Sequence, residues 1–214
     1  MPHILAHLYH ASKKSKDPAF LYGSVFPDNL ILLKKRHSSA LKFAGKLSRK
    51  NKKYKLFYQG VKNHIELDNK FHKKILPSKL RKIKKKFNNK ISTDFAHTMI
   101  EIALDSNLHK NKKEEIDKLL PLFYRFNNKE VIYYLSGFLK KSDAFLNKFA
   151  ETLLKFLKLS TEFSIRSLFK RAKILEKYFE KEIKKNTSFI KDLFKFIRVW
   201  KYSKELTKDY QKYI

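Results

Sequence analysis

Four glycines and five prolines, the last of them Pro121, are all the backbone punctuation in this 214-residue sequence. A multi-stranded sheet needs frequent turns, and turns draw heavily on these two residue types. The chain is therefore expected to be all-α, a multi-helix bundle whose C-terminal part consists of amphipathic helices. The apolar residues keep a matching period. Ile116, Leu119, Leu120 and Phe123 share one helical face, and Val131, Tyr134, Leu135 and Phe138 share another. Similar stripes run through 145–157, 168–183 and 189–200.

All eight histidines lie between His3 and His109. This uneven placement predicts a helical, metal-binding region over 1–110 and a helical extension over 111–214 that packs on it, with no function assigned to the extension. His64, Asp68 and His72 recur every four residues within GVKNHIELDNKFH, and His97, Glu101 and Asp105 repeat that interval within TDFAHTMIEIALD. On a helix such positions lie one turn apart on the same face. Two facing helices with rows of imidazole and carboxylate would form a metal cradle between helices of the N-terminal half.

The local signals around these rows are a first helix over 3–12 and a break at Asp17-Pro18. The apolar run AFLYGSVFPD then ends in a bend at Pro27-Asp28, with Gly23-Ser24 permitting close backbone approach. A helix over 38–47 leads into a basic loop at 46–55. The central helix runs from Tyr54 to His72, continues to Leu76 and stops at Pro77. Its packing residues are Phe57, Val61, Ile65 and Leu67. The basic segment 79–90 follows, and Ser92, Thr93 and Asp94 offer N-caps for a helix reaching about His109, with Phe95, Met99, Ile102 and Ala103 on its apolar side.

The formal charge is +30 at pH 7, enough to attract polyanions or an anionic membrane surface. Lys, Asn, Ile, Phe and Tyr are all abundant, as drift toward A/T-rich codons would produce, so charge alone does not identify a nucleic-acid binder. The basic segments 46–55 and 79–90 either rim a pocket and steer an anion or are solvated loops. Cysteine is absent, so disulfides and thiolate ligands are excluded and any metal is held by imidazole and carboxylate. The opening MPHILAHLYHASKK has no basic region before its short apolar run and does not read as a signal peptide. With no apolar run of about 18 residues, the expected location is cytoplasmic, with peripheral binding at a membrane as the variant.

FLYGSVFPD at 20–28, His37, FYQGVKNHIELDNKFH at 57–72 and HTMIEIALD at 97–105 occur in that order. Together they resemble the zinc-dependent phospholipase C / P1 nuclease superfamily, in particular its small members without a secretion signal. The resemblance covers about residues 1–110. It implies that Asp28, His37, His64 and Asp68 bind one zinc and that His72, His97 and Glu101 bind a second. It further implies a third zinc held by His7, with Asp68 as a bridge and the amine of the N-terminus as another ligand. With the chain beginning at Met1 or Pro2, that amine falls about six residues ahead of His7. His3 or His10 is then either a substitute ligand or an ordinary helix-face residue. The interval from Asp68 to His72 is shorter than in the best-known members. Asp105 is expected to accept a hydrogen bond behind the ligands, His109 to lie outside the site and Glu66 to be solvated.

Nitrogen and oxygen donors suit zinc, and manganese or iron would also be accepted. The implied activity is hydrolysis of an anionic phosphoester, in a phospholipid or a nucleic acid, by metal-activated water. Asp68 would bridge, and Asp28 would bind metal or orient and deprotonate the water. No cysteine is present, and no serine sits in a nucleophile-elbow pattern to compete. Two other readings stand beside this one. One is a family member whose metal is only structural. The other is a non-catalytic basic helical module that binds nucleic acid or an anionic membrane surface.

Overall fold

Helix follows helix from Ile4 onward in the computed structural model, which describes residues 4–33, 36–88, 92–126, 129–148, 151 and 193–208. The helices are α1 (Ile4–Lys14), α2 (Pro18–Leu32), α3 (His37–Lys50), α4 (Lys55–Lys70), α5 (Leu76–Lys86), α6 (Thr93–Tyr124), α7 (Lys129–Leu139) and α8 (Leu193–Leu206). A 3-10 turn, Lys52–Tyr54, precedes α4, and a π-helical turn, Phe71–Ile75, joins α4 to α5. Among the described residues there is no strand, so the all-α class and the multi-helix bundle hold. No described helix is long and apolar enough to cross a membrane.

The chain forms two compact units that interleave in sequence. The described parts of one are 4–6, 69–88, 92–112 and 193–208. Those of the other are 7–33, 36–68, 113–126, 129–148 and 151. The units differ from the expected division at 110/111, although one of their boundaries falls close to it, where Lys112 leaves helical geometry (φ −133°, ψ 29°) inside α6. His3 and most of the apolar stripes expected over 145–157, 168–183 and 189–200 lie outside the described residues.

In the unit that contains His7–Asp68, Asp17 starts α2. Its Oδ1 accepts from the N–H groups of Ala19 (2.8 Å) and Phe20 (3.3 Å), and Pro18 takes the first helical position, where no N–H is needed. The helix does not bend away at Pro27-Asp28 as expected but runs on to Leu32 with Pro27 inside it. The proline costs one backbone bond there. The surrounding residues, 20 to 30, are all buried, and that packing holds the helix together. An aromatic core of Tyr22, Phe26, Phe43, Phe57, Phe123 and Phe126 fills this unit, with Tyr22 and Phe126 stacked at 4.8 Å and Phe26 edge-on to Phe57 at 5.1 Å. A fully buried Phe contributes about 1.5–3 kcal/mol.

Glycine lets α2 and α4 touch backbone to backbone. A Cβ on Gly23 would lie 2.2 Å from the Phe57 carbonyl oxygen, and one on Gly60 would lie 2.2 Å from that of Phe20. Only glycine fits at both sides of such a crossing. The expected packing residues of α4 divide accordingly: Phe57 and Val61 are buried, while Ile65 and Leu67 are half-buried.

The other unit packs the π-turn, α5, the first part of α6 and α8 around Phe71, Ile75, Leu76, Ile83, Ala96, Met99, Ile100, Leu104 and Val199. Pro77 does not end a helix. It stands in the first turn of α5, where proline is tolerated, and most of the basic segment 79–90 is helical as far as Lys86. Asn107 on α6 donates to the Lys204 carbonyl and the Thr207 hydroxyl, both at 2.8 Å, satisfying groups at the C-terminal end of α8.

Candidate metal centres

Three groups of side chains close to ligand-forming distances among the described residues. They are Asp28, His37 and His64; His7, His64 and Asp68; and His72, His97 and Glu101, with the ligand atoms of each group all within 4.8 Å of one another. Every residue expected to bind metal falls into one of these groups. The first two belong to the unit containing His7–Asp68, and the third belongs to the other unit. His10 and His109 lie in none of the groups, and Glu66 is exposed, as expected for the latter two.

The first two groups share His64, whose placement follows from the glycine crossing. Gly60 stands one turn before His64 on α4, and the Ser24 carbonyl follows Gly23 on α2. His64 Nδ1 lies 2.8 Å from the Ser24 carbonyl oxygen. A carbonyl only accepts, so Nδ1 carries the proton and Nε2 of the neutral ring keeps its lone pair. Burial is the main reason why the His64 pKa falls to about 4, with Asp28 opposing the fall and His37 adding to it. At neutral pH the ring is therefore uncharged.

His64 Nε2 has no hydrogen-bond partner and lies 3.6 Å from Asp28 Oδ1. The lone pair of the neutral ring is thus turned toward a carboxylate oxygen, at a site where both side chains are at most 2% exposed. That arrangement is favourable when a cation lies between them. His37 stands beside the pair, with Nε2 3.9 Å from Asp28 Oδ1 and Nδ1 3.4 Å from Asp68 Oδ2. Ligands at about 2.0–2.2 Å from a tetrahedral zinc lie roughly 3.3–3.6 Å from one another. The His64–Asp28 separation matches such an edge, the His37–Asp28 separation is somewhat longer, and the Asp68 contact uses the other His37 nitrogen. His7 stacks on His64 with centroids 3.8 Å apart, and the rings of His37 and His64 meet edge to face at 5.1 Å.

One nitrogen of His64 is committed to Ser24, which leaves a single ligand atom for both groups. The two groups therefore cannot each bind a cation through His64. Asp28, His37 and His64 make a three-ligand set, the number that catalytic zinc sites take from the protein. Asp68 lies behind His37 and completes a neighbouring pair with His7.

In the other unit, His97 Nε2 and Glu101 Oε1 are 2.8 Å apart at the i, i+4 interval. His97 Nε2 nevertheless has no aligned hydrogen bond, and the His72 ring meets that of His97 edge-on with centroids 4.8 Å apart. His72 stands on the π-turn, a local widening of the helix found often at functional sites. Sequence spacing gave no sign of that turn.

Asp105 continues the His97/Glu101 row by one more turn and is fully buried. It lies in none of the ligand groups, and the donors it accepts from here are backbone groups at the start of α1 rather than a ligand side chain. Oδ1 accepts from the Ala6 N–H at 3.0 Å and Oδ2 from the Leu5 N–H at 3.2 Å. It thus caps the start of α1 from a residue about a hundred positions away. Asp105→Ala is expected to lower stability by about 2–5 kcal/mol, because two buried N–H groups lose their acceptor. Asp105→Asn should lose roughly half of that, since its amide keeps one acceptor oxygen. Urea unfolding of the three chains measures both values.

A second expectation concerns acid. The folded His64 pKa of about 4 lies below the unfolded value of 6.5, so the unfolded chain binds more protons between those limits. Stability in chelator should therefore be intact above pH 6.5 and fall as the pH drops toward 4, by at most about 3 kcal/mol from this residue. Denaturant midpoints against pH should show this slope in wild type and a shallower one in His64→Gln.

Neither the family models, the curated proteins nor the solved structures include a match to this chain.

Proposed function

We propose that the protein is a metal-dependent phosphoesterase of the kind found in the zinc-dependent phospholipase C / P1 nuclease superfamily. The supporting observation is the buried apposition of His64 Nε2 and Asp28 Oδ1 at 3.6 Å, flanked by His37. Nitrogen and oxygen donors without thiolate favour zinc, and manganese or iron would also be accepted. A bound zinc would supply Lewis-acid polarisation of a phosphoryl oxygen and a nucleophile drawn from water at neutral pH.

The chain's own residues do the remaining work. Ser24 fixes the His64 tautomer, Asp68 orients His37, and Asp28 holds the cation or accepts a proton from the attacking water. The net charge of +30 draws in an anionic substrate. His72, His97 and Glu101 form a separate candidate site for a second cation.

Two measurements test this reading. Elemental analysis of protein purified without chelator should find at least one bound divalent ion per chain, and less would overturn it. With added zinc, the metal-replete chain should hydrolyse bis-p-nitrophenyl phosphate. If instead chelation unfolds a chain that shows no turnover when replete, the metal is only structural and the hydrolase reading fails.

A further inference from the structure

Among the described residues, acidic and basic side chains are distributed differently in the two units. The unit containing His7–Asp68 spreads carboxylates over its surface, and several pair with lysines, as in Lys13–Glu115, Lys53–Glu130 and Lys113–Asp117. In the other unit Glu101 and Asp105 are buried at the candidate metal site and the α1 cap, which leaves Glu205 as the exposed carboxylate among the described side chains. From Asn69 to Thr93 the sequence contains no Asp or Glu and ten Lys or Arg residues. Uniform codon drift would enrich lysine throughout without clearing acids from one stretch.

These cations are presented on a helix rather than on a loop. Lys74, Arg81, Lys82 and Lys85 are exposed and recur at intervals that place them along one side of α5 and the turn before it. At about 1.5 Å per residue they span roughly 16 Å, the axial length of about five phosphates of one nucleic-acid strand. The opposite face of α5 holds Leu76 and Ile83 in the core with Phe71 and Met99. Among the described residues, the exposed large apolar side chains, Leu56, Tyr124, Tyr133 and Phe145, all belong to the other unit. An amphipathic helix binds a membrane by inserting an apolar face, and α5 has none to spare. A row of cations with no exposed large apolar side chain beside it among the described residues matches a chain of phosphates.

We infer that the exposed side of α5 is a docking track for the phosphate backbone of nucleic acid, independent of base sequence. The inference does not rest on the phosphoesterase reading, since it needs neither a cation nor turnover. It is tested in EDTA, where metal-dependent cleavage is off.

The probe is a fluorescein-labelled single-stranded oligonucleotide of about 20 nucleotides, followed by anisotropy between about 50 and 200 mM salt. Four phosphate contacts predict a slope of log K against log salt of about −3, or roughly a 50-fold loss of affinity across that range. A triple variant, Arg81→Gln, Lys82→Gln and Lys85→Gln, should bring the slope to about −1. A control with the same charge change, Lys42→Gln, Lys52→Gln and Lys55→Gln, alters exposed residues of the other unit and should keep the wild-type slope. Equal losses in both variants would mean diffuse charge and overturn the assignment. So would absence of oligonucleotide binding at the lowest salt, or binding only to phosphatidylcholine vesicles containing phosphatidylserine. All six substituted residues are exposed, so circular dichroism should show both variants folded.

Discussion

Asp68→Asn is expected to slow hydrolysis of bis-p-nitrophenyl phosphate by about a hundredfold or more at saturating zinc. The substitution keeps the size of the side chain and removes its charge. Asp68 Oδ2 lies 3.4 Å from His37 Nδ1, and the residue also closes the group with His7 and His64. Losing the charge frees the His37 ring to turn and weakens the hold on any cation that Asp68 shares with His7. The parallel readout is zinc affinity by competition with a chromogenic chelator, which should fall together with the rate. Unchanged rates would remove Asp68 from the site. Because Asp68 is 9% exposed and the replacement is isosteric, the fold should survive, and an unaltered thermal midpoint would show it. Asp28→Asn should act in the same direction and more strongly, since Asp28 Oδ1 faces both His37 and His64 directly.

Gly60→Ala should be, with Gly23→Ala, among the most damaging single-methyl changes in the unit containing His7–Asp68. The new Cβ would meet the Phe20 carbonyl oxygen at 2.2 Å and the Ser24 nitrogen at 2.9 Å, and both are backbone atoms inside α2. No rotamer relieves such a clash, so α2 and α4 must separate. The expected loss is at or above the upper end of overpacking costs, about 3 kcal/mol, and a drop in Tm of roughly 6–12 °C. Gly137→Ala supplies a control of opposite sign. Nothing lies within 4 Å of a Cβ there, and the position is inside α7 and exposed, so alanine should stabilise by about 0.5–1 kcal/mol. Differential scanning calorimetry of the two chains tests both signs. Equal, small shifts would refute the close crossing. Since the crossing also brings Ser24 to His64, a Gly60→Ala chain that does fold should bind zinc more weakly.

Helix content was legible because apolar spacing and scarce turn residues both report on local geometry. The members of the three ligand groups were legible for a related reason. The i, i+4 interval survives folding, as His97 with Glu101 and His64 with Asp68 show. His7, Asp28 and His37 came from the resemblance rather than from spacing. Features that depend on partners distant in sequence were not legible. Ser24 supplies a backbone carbonyl, which any residue carries, so no side-chain pattern could mark it as the partner of His64. Asp105 was placed as a hydrogen-bond acceptor, but its donors, Leu5 and Ala6, are backbone groups with no sequence signature. The two prolines misled because their effect depends on context. Pro27 is held inside α2 by the packing around it, and Pro77 falls in a first turn where it does no harm. The basic segment 79–90 looked like a loop because charge masked the spacing of its few apolar residues, Leu80, Ile83 and Phe87.

The π-turn at Phe71–Ile75 makes the His72 site sensitive to chain length as well as to residue identity. A π-turn holds one residue more than the α-turn it replaces. With that residue present, Phe71, Ile75 and Leu76 reach the core while His72 meets His97. Substituting Lys73 or Lys74, both exposed, removes a surface charge but leaves the register of the turn unchanged. Deleting either would return the segment to ordinary helical register, and His72 and its buried neighbours could no longer all keep their faces. Length variants of this turn among related chains should therefore divide those able to hold a cation at His72 from those that cannot, even where every histidine is retained.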